Sequence, residues 1–223
     1  MVNKSFIELM NKSKLFQDFS LEECEKIFNI TQPAIKFFKK NENIISEGDK
    51  VDFIGIIHSG RVVNERLDYE GNLSLQQILI PPNIFGFDIA ATPTQLSPIN
   101  LKCLEDTQVL LFSYSKLIND DATAEDRIKL LNNLLTLFAN ENIRRLYKIE
   151  ILTQKSLRKR IMLYLNRISQ KEGSNSFRIP LDRSQLAQYL NVNRSALSAE
   201  LSKMKKEGLI DFNKNQFSIN KKL

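Results

Sequence analysis

The chain has 223 residues, 42% hydrophobic and 26% charged, enough apolar material for one large core or two modest ones, and no stretch nears the ~20 apolar residues that span a bilayer. Two distant cysteines, Cys24 and Cys103, and one histidine, His58, exclude a disulfide framework, a zinc cluster, an iron–sulfur centre with four cysteine ligands and the usual catalytic triads. The net charge of +6 is unevenly placed: residues 151–223 carry 15 Lys and Arg against 5 Asp and Glu, whereas residues 1–150 carry 17 against 21, so one end suits a polyanion and the other does not.

Met1 to Ser5 lead into a mixed segment without a signal-peptide core, and a cytoplasmic protein is expected. Phe6 to Ile30 reads as short helices, with Leu15, Phe16 and Phe19 as an apolar cluster and Ser20 with Glu23 as a capping box. From Ile35 to Phe112 short β-type runs alternate with turn residues. Ile44-Ile45 precedes Glu47-Gly48-Asp49, and Phe53 to Ile57 precedes His58-Ser59-Gly60. Arg61 to Leu67 leads to a turn at Asp68 to Asn72, Leu73 to Ile80 to Pro81-Pro82-Asn83, and Val109 to Phe112 ends the series. Such spacing suggests a β-sandwich, barrel or roll. His58, at a strand end beside a turn, reads as a surface residue. Asp120-Asp121 read as solvated charges before the next helix.

A helix without Gly or Pro is expected over Ala124 to Ile151. Ile128, Leu131, Leu135 and Phe138 form one apolar stripe, and Leu130, Leu134 and Leu137 a second. Two stripes imply burial on two sides, one against the chain's own β domain and one against a second copy, so the first stripe is the candidate dimerisation surface. Asn142, Arg144 and Arg145 mark its expected end. An amphipathic helix follows from Ser156 to Ser169, then a loop at Lys171 to Ser176 and a short strand at Phe177 to Ile179.

Asp182 and Gln185 are placed to cap a further helix, on which Leu186, Ala187 and Leu190 share a face. Ala187 allows a second helix to cross closely, Asn191 tolerates a left-handed turn, Val192 plugs the corner and Asn193 is expected to cap the second helix. Leu197, Leu201 and Met204 give that helix its buried side, Gly208 ends it, and a hairpin with a turn at Asn213-Lys214-Asn215 makes a wing. This is a helix-turn-helix. Its outward residues are Arg194, Ser195, Ser198, Ala199, Ser202, Lys203, Lys205 and Lys206. Arg194 has the fork that pairs with guanine, Ser195 and Ser198 can donate to bases or phosphates, and Lys203, Lys205 and Lys206 neutralise phosphates. Arg183, Ser184 and Asn193 complete the candidate DNA-facing set.

These features together resemble the Crp/Fnr family of bacterial transcription regulators, over nearly the whole chain. The strongest part is Val192-Asn193-Arg194-Ser195-Ala196-Leu197-Ser198 with Lys205-Lys206-Glu207-Gly208-Leu209-Ile210. Glu47-Gly48-Asp49 and Ser59-Gly60-Arg61-Val62 match turns of the family's β-roll. The resemblance implies an α+β fold: a cyclic-nucleotide-binding-like β-roll over residues 1–122, a dimerisation helix over 123–151 and a winged helix-turn-helix over 152–223. It further implies a homodimer on a near-palindromic operator with RNA polymerase as a partner. The single histidine, the two cysteines and the lack of a nucleophile–base pair or phosphate loop lead to the expectation of no catalysis, cofactor or metal. The cyclic-AMP-binding members carry Gly-Glu and then Arg-Ser where this chain has Gly86-Phe87 and Leu96-Ser97. Losing that arginine removes the phosphate's counter-charge, so no cyclic nucleotide is expected. Phe85, Gly86, Phe87 and Ser97 remain as a candidate pocket for a different effector, with Phe87 simply filling the space as the other reading. Ala199 replaces a second base-reading arginine, and Glu200 is charged where such helices are commonly apolar, with a nearby Arg or Lys as its expected partner. A ligand-binding module acting through protein contacts, its basic end on an acidic partner, is the competing function.

Overall fold

The computed structural model describes residues 2–67, 73–119 and 123–220, leaving the expected turn at Asp68 to Asn72 and the pair Asp120-Asp121 outside the described residues. The chain divides into two units, residues 1–66 with 77–142 and residues 67–76 with 143–223. The division falls inside the long helix, which gives residues 124–142 to the first unit and 143–152 to the second.

The first unit begins with α1 (Val2–Lys12), a 3-10 turn at Lys14–Phe16 and α2 (Leu21–Thr31). The capping box forms as expected. Glu23 N–H donates to the Ser20 hydroxyl at 3.1 Å, and Ser20 N–H donates to the Glu23 carboxylate at 2.6 Å. Strands β1 (Ala34–Phe38), β2 (Asn43–Ile45), β3 (Phe53–Ser59), β4 (Val62–Leu67) and β5 (Leu73–Leu79) follow. Then come β6 (Ile84–Phe85), the short α3 (Phe87–Ala90), β7 (Asn100–Cys103), β8 (Thr107–Ser113), α4 (Tyr114–Asn119) and α5 (Ala124–Leu152). The strands make two four-stranded sheets in the orders β1-β8-β3-β6 and β2-β7-β4-β5.

Period-two alternation explains the two cores. On β3 and β8, Ile54, Ile56, Leu110 and Phe112 face a cluster shared with α1, α2 and Leu130 and Leu134 of α5. The intervening Ile57, Val109 and Leu111 face the space between the sheets, with Val62, Leu79, Phe85, Leu101 and Cys103. Burial raises both thiols' pKa, Cys24 to about 11, so neither is a ready nucleophile. His58 departs from the expected surface loop: it lies half-buried on β3, its Nε2 is 2.8 Å from the Ser5 hydroxyl, and its ring packs 4.7 Å from Phe6.

Helix α5 carries two apolar faces. Leu130 and Leu134 are buried, with Leu137 and Phe138 packed beside them. At about 100° per residue, Ile128, Leu131, Leu135, Ala139, Asn142, Leu146 and Ile149 form a stripe roughly 80° wide on the other side. It is uncovered in the single chain, with Ile128 60%, Leu135 68% and Leu146 56% exposed. Two expectations change here. Phe138 leaves the stripe, since its ring meets Phe87 edge-on at 5.2 Å in the chain's own core. The stripe also does not end at Asn142, because Leu146 and Ile149 continue it.

The second unit contains α6 (Leu157–Glu172), β9 (Ser176–Arg178), α7 (Arg183–Tyr189), α8 (Arg194–Lys206), β10 (Ile210–Asn213) and β11 (Gln216–Ile219), with sheet order β10-β11-β9. Ser156 caps α6, and Gly173 ends it in the left-handed conformation that glycine adopts without strain. The wing is tighter than expected: Asn213 pairs with Gln216, so the turn is Lys214-Asn215 alone, with Lys214 at φ 53°. Lys148 of α5 is buried, and its ammonium donates to the Leu75 carbonyl and to Gln76 Oε1 (3.0 Å), 4.8 Å from the centre of the Tyr189 ring. Arg144 donates to the Gln76 carbonyl at 3.1 Å. Burial, reinforced by Arg144, lowers the Lys148 pKa to about 8.

Candidate nucleic-acid interface

The site is built from α7, α8 and the wing. Asp182 and Gln185 form a capping box at the start of α7, with bonds of 2.8 and 2.9 Å. Arg160 closes its other end by donating to the Leu190 carbonyl at 3.3 Å, where the helix presents unpaired acceptors and partial negative charge. Asn191 adopts φ 53°, the left-handed turn expected of it, and Val192 N–H returns to the Ala187 carbonyl at 3.0 Å. Ala187 is buried between the two helices. Asn193 stands at the cap position of α8, but its side chain makes no capping bond. That corrects its expected role and leaves the amide on the exposed side.

Leu197, Leu201 and Met204 are fully buried, which fixes the rotation of α8. Arg194, Ser195, Ala199, Ser202, Lys203, Lys205 and Lys206 are then exposed and Ser198 half-buried. The helix starts with small side chains around one arginine and finishes with three lysines. Ser184 is exposed at the start of α7. Of the predicted DNA-facing residues, those on α8 lie off its buried row, and Ser184 is exposed on α7.

Glu200 finds the partner its position called for. Arg158 Nε donates to it at 2.7 Å while the same guanidinium forks onto Glu207 at 2.5 and 3.0 Å. These hydrogen bonds hold the Glu207 carboxyl below its usual range and raise the Arg158 pKa. One arginine on α6 therefore pins α8 near its middle and its end, on the flank away from Arg194. Sequence spacing alone could not select Arg158 from the other basic residues of α6.

Two predicted contacts are already engaged within the chain. The Arg183 guanidinium lies over the rings of Phe212 (4.8 Å) and Phe217 (5.7 Å) and donates to the Lys214 carbonyl at 3.4 Å. Its other terminal nitrogen is buried without a partner. Burial and the nearby Arg194 lower its pKa, yet guanidinium stays charged. Lys205 pairs with Asp211 and sits 5.4 Å from the Phe212 ring. The Lys205 hydrogen bond, then one from Phe212 N–H, lowers the Asp211 pKa.

The candidate effector residues do not converge. Phe85 faces the space between the sheets, lying so close over Gly55 that a Cβ there would come within 2.1 Å of the ring. Phe87 points to the helical cluster and Phe138. Gly86, at φ 81°, has the Phe53 carbonyl 2.8 Å from where a Cβ would stand, so only glycine fits. Ser97 is buried, and its hydroxyl donates to the Ile99 carbonyl at 2.8 Å. Phe85 and Phe87, sent to different cores on either side of Gly86 at φ 81°, cannot line one pocket together. The residues matching the family's phosphate-binding positions offer a buried phenyl ring and an occupied hydroxyl, which do not fit a cyclic phosphate.

Comparison with known proteins agrees with this geometry. The Crp-like helix-turn-helix domain matches residues 159–222 and the cyclic nucleotide-binding domain residues 35–119. The regulatory protein HlyX of Actinobacillus pleuropneumoniae is 23% identical over 216 residues, covering 94% of this chain and 88% of its own. An anaerobic regulatory protein of Haemophilus influenzae is 24% identical over 215 residues, covering 93% and 81%. Among solved structures, FixK2 of Bradyrhizobium japonicum matches with a TM-score of 0.66 at 18% identity, covering 85% of this chain and 93% of that one. The c-di-GMP-responsive regulator CLP of Xanthomonas campestris matches with a TM-score of 0.71 at 13% identity, covering 88% and 97%. The matched relatives are regulators rather than enzymes. With the roll-type sheets, the long helix and the winged helix-turn-helix all in place, the chain is a member of the Crp/Fnr family of transcription regulators.

Proposed function

We propose that the chain acts as a homodimer that reads a near-palindromic DNA operator with α8 and does not respond to cyclic nucleotides. The observation that supports this reading is the exposed face of α8, where one arginine without a carboxylate partner among the described residues stands with serines and alanine at the helix's N-terminal end. Arg194 bonds to guanine O6 and N7, and Ser195 and Ser198 reach base edges or phosphates. Ser184 and Asn193, both exposed, take phosphate oxygens, and Arg183 joins them by leaving its seat against the wing. Lys203, Lys205 and Lys206 supply affinity without sequence information. The uncovered stripe of α5 receives a second copy, which sets two α8 helices about one DNA turn apart. Bound near a promoter, such a dimer has RNA polymerase as its partner.

A salt titration with competing duplexes tests the reading. Affinity falls steeply with ionic strength, and a selected inverted repeat outcompetes random duplex by about a thousandfold or more. Equal affinity for both, with Arg194→Ala leaving sequence preference unchanged, refutes α8 as the reader.

A further inference from the structure

Resting on the homodimer reading, we infer that Asn142 pairs with its own copy across the dimer axis and so fixes the register in which two chains meet. The uncovered stripe of α5 runs from Ile128 to Ile149, roughly 32 Å at 1.5 Å per residue. Leu135 and Ala139 precede Asn142 on it, and Leu146 and Ile149 follow. The neighbouring Arg144 does not belong to the stripe, since it turns to the Gln76 carbonyl. Asn142 is therefore a lone amide in the middle of an otherwise apolar seam, at a place where a leucine would give more burial.

An asparagine amide carries both donors and an acceptor. In a parallel, in-register pair, residue 142 of each helix lies level with its copy, and each amide donates to the other's oxygen. A slipped pair, or an antiparallel one whose axis lies away from residue 142, instead buries each amide against Leu135, Ala139 or Leu146 with its hydrogen bonds unmade. One polar residue inside a helical seam selects register and a two-strand assembly at a cost in stability. Here register has a functional consequence: it determines that both α8 helices stand at equal distance from the axis, as two matching half-sites require.

The experiment pairs sedimentation with cross-linking on the full chain. Wild-type protein sediments as a dimer. Asn142→Cys forms an interchain disulfide under mild oxidation, because level positions on the seam let two Cβ atoms approach to the roughly 4 Å that a disulfide requires, whereas Asn140→Cys, off the stripe, does not. Asn142→Leu tightens the dimer by about tenfold or more, and species larger than a dimer appear. A dimeric wild type in which Asn142→Cys stays reduced, or in which Asn142→Leu dissociates like wild type, overturns the role of Asn142 and leaves the homodimer standing. A wild type that is monomeric at all concentrations overturns both.

Discussion

Replacing Lys148 with methionine changes how the protein's stability depends on pH. The ammonium is buried among the Leu75 carbonyl, Gln76 and the Tyr189 ring, and it gives up its proton near pH 8. An exposed lysine does so near 10.5. Holding the charged form in the folded chain therefore costs about 3 kcal/mol relative to the unfolded chain. Below pH 8 both states are protonated and this cost is constant. Between pH 8 and 10.5 the unfolded chain binds the proton and the folded chain does not, so stability rises with pH by up to about 1.4 kcal/mol per unit from this group. Cys24 acts oppositely between its ordinary 9.0 and about 11, since the unfolded chain releases that proton first. Lys148→Met removes the first contribution and keeps the second. Methionine also forfeits the donor to the Leu75 carbonyl, so the informative quantity is the slope rather than the stability at one pH. The chain has no tryptophan, and denaturant unfolding followed by circular dichroism at pH 7, 8, 9 and 10 measures it. Wild type minus variant should climb by about 2–3 kcal/mol across that range. Parallel curves would show that Lys148 is hydrated in the folded chain and refute the reasoning.

Other substitutions test other contacts. Arg194→Ala should cost about 1–3 kcal/mol on the selected operator and blur one base position, read by competition binding. Lys205→Ala should weaken all duplexes alike and lower the salt slope by about one, whereas Asp211→Asn should strengthen all duplexes by freeing that lysine. Gly55→Ala should destabilise the first unit by about 1–3 kcal/mol through collision with Phe85, and a Phe85→Ala background should relieve most of that loss in a thermal melt. Isothermal titration of cyclic AMP should give no heat with wild-type protein, since Phe87 and Ser97 supply no cation.

Much of the local fold, including that of the helix-turn-helix, was legible because local chemistry forces it. The capping boxes at Ser20 and Asp182, the left-handed Asn191, the close contact at Ala187 and the buried rows of α8 each follow from a few neighbouring residues. What escaped depends on distant partners. Strand β7 has only Leu101 and Cys103 facing inward, and β6 has two residues, too few to show a period. Nothing near Phe138 in the sequence reveals that Phe87 will claim its ring. The partners of Glu200 and Lys148 lie 42 and 73 residues away. Asn142 looked like the end of an apolar stripe because Arg144 and Arg145 follow it. Only the rotation of α5 separates the residue that stays in the seam from those that leave it.

The most direct test is selection of bound sequences from random duplex DNA by the purified chain, followed by footprinting of the winner. Two α8 helices presented by one symmetric dimer predict an inverted repeat whose half-site centres lie about 10 base pairs apart, both protected together. A single asymmetric site protected on its own, or no enrichment at low ionic strength, would contradict the paired helices on which the proposed function rests.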